Sequence, residues 1–568
     1  MSSAIFVALR RLRAPIIGLV VVFAVGMIGL VLIPGVDATG KPWHMSMFEA
    51  LYFMSYTAST IGFGEIPQPF STAQRVWVTL VIYASVLGWA FLVARLLALS
   101  QDQAFRAAVV AGQFRREVRA IREPFYLICG FGETGALVGR ALDTLGMRFV
   151  VLDLAEERVQ ELSLMALEQD APGLTANARD PEMLVMAGLT RVECVGVLAL
   201  TNDDRANLAV AIAVRLLNPS VPVLARAMSR DTVGNMQSFG TDHIINPFAK
   251  FAGYLTLAIQ SPGSHRLLTW LTGLPGTTLK PETSPPRGHW LVCGYGRFGT
   301  EVVAAVRAQA LDVTVLDPDE PPTEGLRIVR GLGIDAASLT EAGVQSAVGI
   351  VAGTDDDVNN LSIAVTAREL NPEIFTVIRQ NLHGSQALMQ AYQADITMVS
   401  SEIVANECLA LIQTPLLRAF LDVVKQKDDA WADEVVARLQ AVMGEEAPEI
   451  WRIDMNAGDA PACVDALQRP DYLVSLADLC RDTVCREDRL PCVPLLMQRD
   501  GKNLVLPDEA TTIARGDRIL FAGQPGSREA QRSTLRNINI RDYVVRGIDL
   551  PGGWIWQRLT RYRRPAQS

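Results

Sequence analysis

The sequence predicts an α-helical two-span membrane segment joined to α/β structure, made of two tandem Rossmann-like domains and a small C-terminal α+β lobe. Three observations predict it. Only the first hundred residues contain apolar runs of membrane length. A strand–glycine turn–helix–strand pattern occurs twice, 164 residues apart. Short β-branched runs resume near the C-terminus without the glycine turn.

Residues 14–34 form an almost uninterrupted apolar run, long enough to cross a bilayer as a helix. Arg10, Arg11 and Arg13 precede it, and it lacks the short core and small-residue cleavage site of a signal peptide. Residues 76–99 form the second run, followed by Arg106, Arg115, Arg116, Arg119 and Arg122. Basic residues flank the outer ends of the hairpin and are sparse in its connecting loop, so both termini are expected in the cytoplasm. Between the runs, residues 46–58 read as a short helix that cannot span, with Ser46 as N-cap. Gly88, inside the second run, is read either as a hinge or as a close-packing site.

Next comes Thr60-Ile61-Gly62-Phe63-Gly64-Glu65. Alternating glycines let a backbone reach φ > 0 and turn successive carbonyls the same way, the arrangement that replaces a cation's hydration shell. Thr60, Ile61, Gly62 and Phe63 are expected to supply carbonyls to K+, with the C-terminal end of the short helix aimed at the ion. The run resembles the TVGYG filter of potassium channels. It departs at Ile61 for Val, Phe63 for Tyr and Glu65 for the usual Asp, and Phe63 removes a hydroxyl that normally ties the filter to its surroundings.

Residues 100–122 are alanine-rich and basic and read as a helical continuation of the second span, ended by Glu123-Pro124. The repeat follows. FYLICGFGETG (125–135) matches HWLVCGYGRFG (289–299), and Asp153 and Asp317 each end a strand 23 residues after the first glycine. Farther on the offset becomes 153, so the first copy carries about eleven extra residues, placed near 164–175. This is the dinucleotide fingerprint in its full context: Gly130, Gly132, Gly135 and Asp153 in the first copy, Gly294, Gly296, Gly299 and Asp317 in the second. Glu133 in the first turn is expected to repel pyrophosphate and Arg297 in the second to hold it, so electrostatics favours the second copy as the nucleotide site. Pro318, Pro321 and Pro322 alter the ribose side of that copy. Asp203-Asp204 and Asp355-Asp356-Asp357 are read as helix caps before divalent-cation ligands.

Residues 402–424 form an apolar helix pair broken at Thr414-Pro415, expected to bury its face against another Rossmann unit, in the same or a neighbouring chain. The tail 554–564, with two Trp and four Arg, suits a membrane surface or a solvated end. The first 124 residues carry 11 Lys/Arg against 6 Asp/Glu and the remainder 41 against 55, which argues against nucleic acid as partner. Eight cysteines without a CxxC pair give neither a zinc site nor a disulfide framework, and Cys129 and Cys293 are read as small core residues.

Filter, doubled Rossmann pattern and the terminal GDRILFAG (516–523) together resemble a prokaryotic two-span potassium channel with tandem RCK (regulator of potassium conductance) domains. The resemblance implies a two-span pore at 1–99, linker 100–124, first RCK domain 125–280, second Rossmann lobe 288–400, helical crossover 401–444, C-terminal lobe 445–525 and tail 526–568. It also implies a homotetramer in the plasma membrane, in contact with lipid. K+ is the implied permeant ion, with NAD, ADP or ATP as regulatory ligand and Ca2+ as a further candidate. Two other readings stay open. One is a membrane-anchored NAD-dependent oxidoreductase, although no catalytic constellation accompanies the folds. The other is a nucleotide-sensing subunit of a potassium transporter, which would need no filter of its own.

Overall fold

The computed structural model describes residues 3–36, 40–59, 61–273, 278–279, 281, 283–319, 325–413, 415–469 and 471–548. Thr60, Pro321, Pro322, Thr414 and the basic tail 554–564 lie outside them. The chain divides into two compact units, Met1–Arg122 and Glu123–Ser568.

In the first unit, helices Ser3–Leu32 and Thr72–Gln101 contain apolar stretches of 21 and 28 residues and pack against one another, with helix Met47–Ala58 alongside. Their outward faces, including Ile16, Val20, Leu80 and Leu87, are exposed apolar surface, as a bilayer requires. Ser46 caps the short helix in a capping box with Glu49, as its sequence predicts. A second box, Ser71 with Gln74, opens the second span. Its hydroxyl and amide donate to the carbonyls of Pro34 and Ile33, tying the two spans together. Close packing belongs to Gly29 and Gly26. A Cβ at Gly29 would overlap the Trp77 ring, whose Nε1 donates to the Gly26 carbonyl at 3.1 Å. Gly88 meets only Leu19.

Residues 100–122 do not continue the span. The second span stops at Gln101, Asp102 takes an extended conformation, and its carboxylate caps a separate helix, Gln103–Ala120, by accepting from Phe105 N at 3.0 Å. Asp at this point satisfies the free N–H groups of a new helix start better than it serves a helix interior.

In the second unit both copies form six-stranded parallel sheets among the described residues, with strand order 3-2-1-4-5-6. The first copy's strands are Phe125–Cys129, Arg148–Asp153, Gly173–Thr175, Cys194–Ala199, Val223–Arg226 and His243–Ile245. The second copy's are Trp290–Cys293, Val313–Leu316, Arg327–Val329, Gly349–Ala352, Phe375–Gln380 and Ile396–Val399. This is the doubly wound order, with helices on both faces and strands that are mostly apolar and buried. The extra residues of the first copy lie between its second and third strands and include helix Glu156–Leu164, so they begin before residue 164. Cys129 and Cys293 are fully buried, and burial pushes the Cys293 thiol up to about 12.

The copies exchange helices. Pro247–Gln260, which ends the first copy, packs Phe248, Phe251, Leu255 and Ile259 onto Trp290, Phe298 and Val302 of the second. Ser400–Gln413, which ends the second, packs Val404, Ala405 and Cys408 onto Ile128, Phe131 and Val138 of the first. Each large apolar side chain buried this way contributes about 1.5–3 kcal/mol. Glu407 joins the exchanged helices, accepting from Lys250 Nζ at 2.7 Å and the Tyr254 hydroxyl at 2.6 Å. The apolar pair 402–424 therefore finds its partner within the chain: Pro415–Val424 buries Leu416, Leu417 and Phe420 against Leu267, Leu268 and Trp270.

Among the described residues the C-terminal lobe contains a four-stranded antiparallel sheet in the order Glu449–Asp454, Arg518–Gly523, Cys492–Arg499, Lys502–Val505. Residues 526–548 belong to it and are not a tail. Helices Ser527–Arg536 and Ile538–Arg546 close its core, and the fully buried Arg541 pairs with Asp542 at 2.7 Å and lies over the Tyr472 ring.

Candidate functional site

The loop leaving helix Met47–Ala58 carries Gly62 at φ +69° and Gly64 at φ +88°, values that an L side chain adopts only with strain. Ile61 N donates to the Tyr56 carbonyl at 2.9 Å, so the loop starts directly from the helix end. The Tyr56 hydroxyl donates to the Gly64 carbonyl at 2.6 Å, turning that oxygen toward the helix. Phe63 packs edge-on against the Tyr56 ring at 5.4 Å. Glu65 accepts from Arg75 Nε at 2.8 Å, Arg75 Nη2 at 3.0 Å and Phe70 N at 2.9 Å. Arg75 and Tyr56 carry no signal in sequence; only the folded loop brings them to it.

Both glycine turns have the geometry that their sequence predicts. Gly130 and Gly294 have φ +98° and +90°. A Cβ on Gly135 or Gly299 would overlap the carbonyl oxygen of Gly130 or Gly294. Gly132 and Gly296 are the N-caps of helices Glu133–Thr144 and Arg297–Ala308, without side-chain partners for the first N–H groups. Such an end is suited to an anion. Asp153 and Asp317 already serve the turns. Asp153 accepts from Phe131 N at 2.5 Å and Ala155 N at 2.8 Å, Asp317 from Tyr295 N at 2.8 Å and Asp319 N at 3.0 Å. A carboxylate has lone pairs left for a ribose as well.

A cavity of about 690 Å³ opens over the first turn. Gly130, Gly132, Asp153, Arg179 and Arg226 line it from the first copy, and Gln380, Asn381, Leu382 and Ser400 from the second. That volume accommodates a mononucleotide or dinucleotide. Glu133, expected to repel phosphate, accepts a hydrogen bond from His383 N of the second copy at 2.9 Å. Arg297 lines an adjoining cleft, together with Asp204 and Ser229 of the first copy, and Arg179, Asn202 and Asp203 line both spaces. Beside it Arg230 Nε pairs with Glu301 at 2.6 Å.

Sequence reasoning overlooked two arginines. Arg226 is the last and Arg379 the next-to-last residue of equivalent strands, 153 residues apart like the later repeat positions, which is the signal that would have found them. Each is 8% exposed and has an Nε without a hydrogen-bond partner. Arg226 Nη1 donates to Asn202 Oδ1 at 2.8 Å, Arg379 Nη1 to Asp355 at 2.6 Å. Burial pushes both guanidinium pKa values below the ordinary arginine range, opposed by Asp204 and Asp355 respectively, while the charge of Arg297 pushes both in the same direction as burial. Asp203 and Asp356 cap helices Asp204–Leu217 and Asp357–Leu370, as their positions predict. Among the described residues no group of three His, Cys, Asp or Glu is placed to hold a metal ion.

Two family profiles match: ion channel over residues 17–101, and TrkA-N domain over 126–247 and 290–401. Potassium channel protein 1 of Methanocaldococcus jannaschii is 24% identical over 236 residues, 41% of this chain and 66% of its own. The voltage-gated potassium channel Kch of Escherichia coli is 23% identical over 213 residues, 36% and 48%. An uncharacterized protein of Methanothermus fervidus is 24% identical over 235 residues, 41% and 35%. The chain thus spans from about a third to two thirds of these relatives' lengths. Among solved structures, the GsuK channel bound to NAD aligns over 94% of this chain and 99% of its own, at 15% identity and a TM-score of 0.44.

Proposed function

We infer, for a chain that belongs to the potassium channels joining an ion-channel domain to TrkA-N (RCK) domains, that it is a K+ channel gated by a nucleotide. The observation that carries this reading is the paired positive φ of Gly62 and Gly64, on a loop between two apolar spans and following a capped re-entrant helix. Four such loops, from four copies of the chain, line the conduction path with the carbonyls of Thr60, Ile61, Gly62 and Phe63. The Gly64 carbonyl is withdrawn to Tyr56 and takes no part. The chain lies in the plasma membrane with both termini cytoplasmic, given the basic flanks of its hairpin.

The regulatory ligand is an adenine nucleotide, NAD or ADP, seated in the first copy. The cavity there, its buried Arg226 and the walls lent by the second copy outweigh the preference for the second copy based on Arg297, whose side chain lines a cleft with the first copy. Phosphates rest on the N–H groups at Gly132–Thr134 and the ribose on Asp153. Because residues 380–382 and 400–401 wall the same cavity, filling it changes how the two copies meet, and that change is the gating signal. The transporter-subunit reading is disfavoured by the ion-channel match over residues 17–101, and the same match together with the potassium-channel relatives favours a channel over an oxidoreductase.

The test is flux in proteoliposomes. K+ should pass in preference to Na+, respond to ADP or NAD, and lose its selectivity in Gly62→Ala. Equal K+ and Na+ flux in the unaltered protein refutes the filter reading. Nicotinamide turnover without flux establishes the enzyme instead.

A further inference from the structure

Helix Pro247–Gln260 has two working faces. Phe248, Phe251, Leu255 and Ile259 are buried against the second copy. Ala249, Lys250, Gly253, Tyr254 and Leu257 recur at helical spacing on another side and face a cavity of about 500 Å³. Its other walls include the edge strand His243–Ile245, the exchanged helix Ser400–Gln413 and helix Pro415–Val424. Leu257, Leu268 and Leu421 give it an apolar floor, continuous with the core around Trp270 and Phe420. A Cβ on Gly253 would meet nothing within 4 Å, so the missing side chain leaves open space there. None of the residues lining this cavity lines the one over the first glycine turn.

Three carboxylates and three cations line the cavity, and they are not equally engaged. Glu407 is held within the wall, accepting from Lys250 Nζ at 2.7 Å and the Tyr254 hydroxyl at 2.6 Å. Burial, and after it the Glu407 charge, pushes that hydroxyl well above its ordinary range, so it keeps its proton. Asp242 accepts from Val223 N at 2.9 Å. Asp422 pairs with Lys425 at 3.5 Å. Arg418 lies on the same face of its helix as Leu421, Asp422 and Lys425, and is exposed. It forms no ion pair or hydrogen bond among the described residues. Burial first, and then the Arg418 charge, holds the His243 imidazole below its ordinary range, so the ring is neutral at pH 7. The cavity thus joins an apolar floor to one uncommitted guanidinium and a neutral imidazole, the mixture that small-molecule sites between helices use.

We propose that this cavity binds a small organic anion with an apolar body, its carboxylate on Arg418 and His243 and its body on Leu257 and Leu421. The planar fork of a guanidinium matches a carboxylate, and a neutral imidazole adds a donor. A ligand cation would meet Arg418 unopposed, and a bare inorganic anion would leave the apolar floor uncovered. The walls come from the exchanged helices of both copies, so an occupant braces the exchange and raises the melting temperature. The site is separate from the nucleotide cavity and stands without the channel reading.

The experiment is saturation-transfer NMR and thermal unfolding of the full-length protein in nanodiscs. Indole-3-acetate is the probe, tryptamine the matched cation, acetate the anion without an apolar body, and empty nanodiscs the blank. Indole-3-acetate should bind with a Kd of about 1 mM or tighter, as a ligand of its size ordinarily does, and raise the melting temperature. Tryptamine and acetate should bind roughly tenfold more weakly or worse. Arg418→Gln, at an exposed position, should weaken the probe about tenfold and leave the ligand-free melting temperature unchanged. Gly253→Leu puts a side chain into the open space and should abolish probe binding. Should Gly253→Leu fail to fold, Arg418→Gln decides. ADP should not displace the probe. Absent binding of indole-3-acetate, equal binding of tryptamine or acetate, undiminished binding in either variant, or displacement by ADP overturns the site. A protein that binds indole-3-acetate in this pattern but no nucleotide supports the site and refutes the nucleotide reading alone.

Discussion

Replacing Arg226 by Gln should separate nucleotide binding from folding. In the absence of ligand this guanidinium has one good partner, Asn202 Oδ1 at 2.8 Å, a distant contact to the Met228 sulfur at 3.5 Å, and an Nε with none. It is 8% exposed, and the positive charges of Arg297 and Arg379 act on it against the attraction of Asp204 and Glu133. A buried cation so poorly paired contributes little to stability, because desolvation offsets its few bonds. A phosphate in the cavity supplies what it lacks, and one charge-assisted hydrogen bond contributes about 1.5–3 kcal/mol, roughly 10- to 150-fold in affinity. Arg226→Gln should therefore weaken ADP or NAD binding by that factor, leave the ligand-free melting temperature nearly unchanged, and abolish most of the ligand-induced rise in melting temperature. Calorimetric titration and thermal unfolding of the full-length protein in detergent measure all three. Arg297→Ala is the control for the opposite assignment. If it costs the larger factor while Arg226→Gln binds as before, the nucleotide sits in the second copy and the argument from the cavity is wrong.

Other outcomes are expected from the same geometry. Gly132→Ala adds a Cβ that meets nothing within 4 Å and should lower nucleotide affinity without destabilising the fold, whereas Gly135→Ala drives a Cβ into the Gly130 carbonyl and should prevent the first copy from folding. Ligand titration beside thermal unfolding distinguishes the two. Glu133→Gln keeps an acceptor for His383 N but removes the charge beside the phosphate-binding turn, so affinity for ADP should rise severalfold, and an unchanged affinity would place the phosphates elsewhere. Leu416→Asp puts a carboxylate into the core shared by Phe420, Leu267 and Trp270; at a position 4% exposed this should cost about 3 kcal/mol or more, read as a lowered melting temperature in thermal unfolding.

By itself the sequence determined what depends on spacing along one segment. The two apolar runs, the Ser46 cap, the glycine turns with Asp153 and Asp317, and the Asp203 and Asp356 caps were all legible, because each is a local rule of helix length, dihedral freedom or end capping. The break at Asp102 departs from the continuous helix expected over 100–122 although its signal is local too, since an Asp ahead of an alanine-rich run is a natural cap for a new helix. Tertiary structure alone decided which copy walls which cavity. Glu133 and Arg297 looked like opposite charges over equivalent turns, but exchange of the helices 247–260 and 400–413 brings the copies together, so that Glu133 takes a backbone N–H from the second copy and Arg297 lines a cleft with the first. The Glu65–Arg75 fork has the same character. A charge is visible in a sequence, but its partner is set by where the chain returns, and electrostatic and hydrogen-bonding energies fall off over a few ångströms of space without regard to distance along the chain.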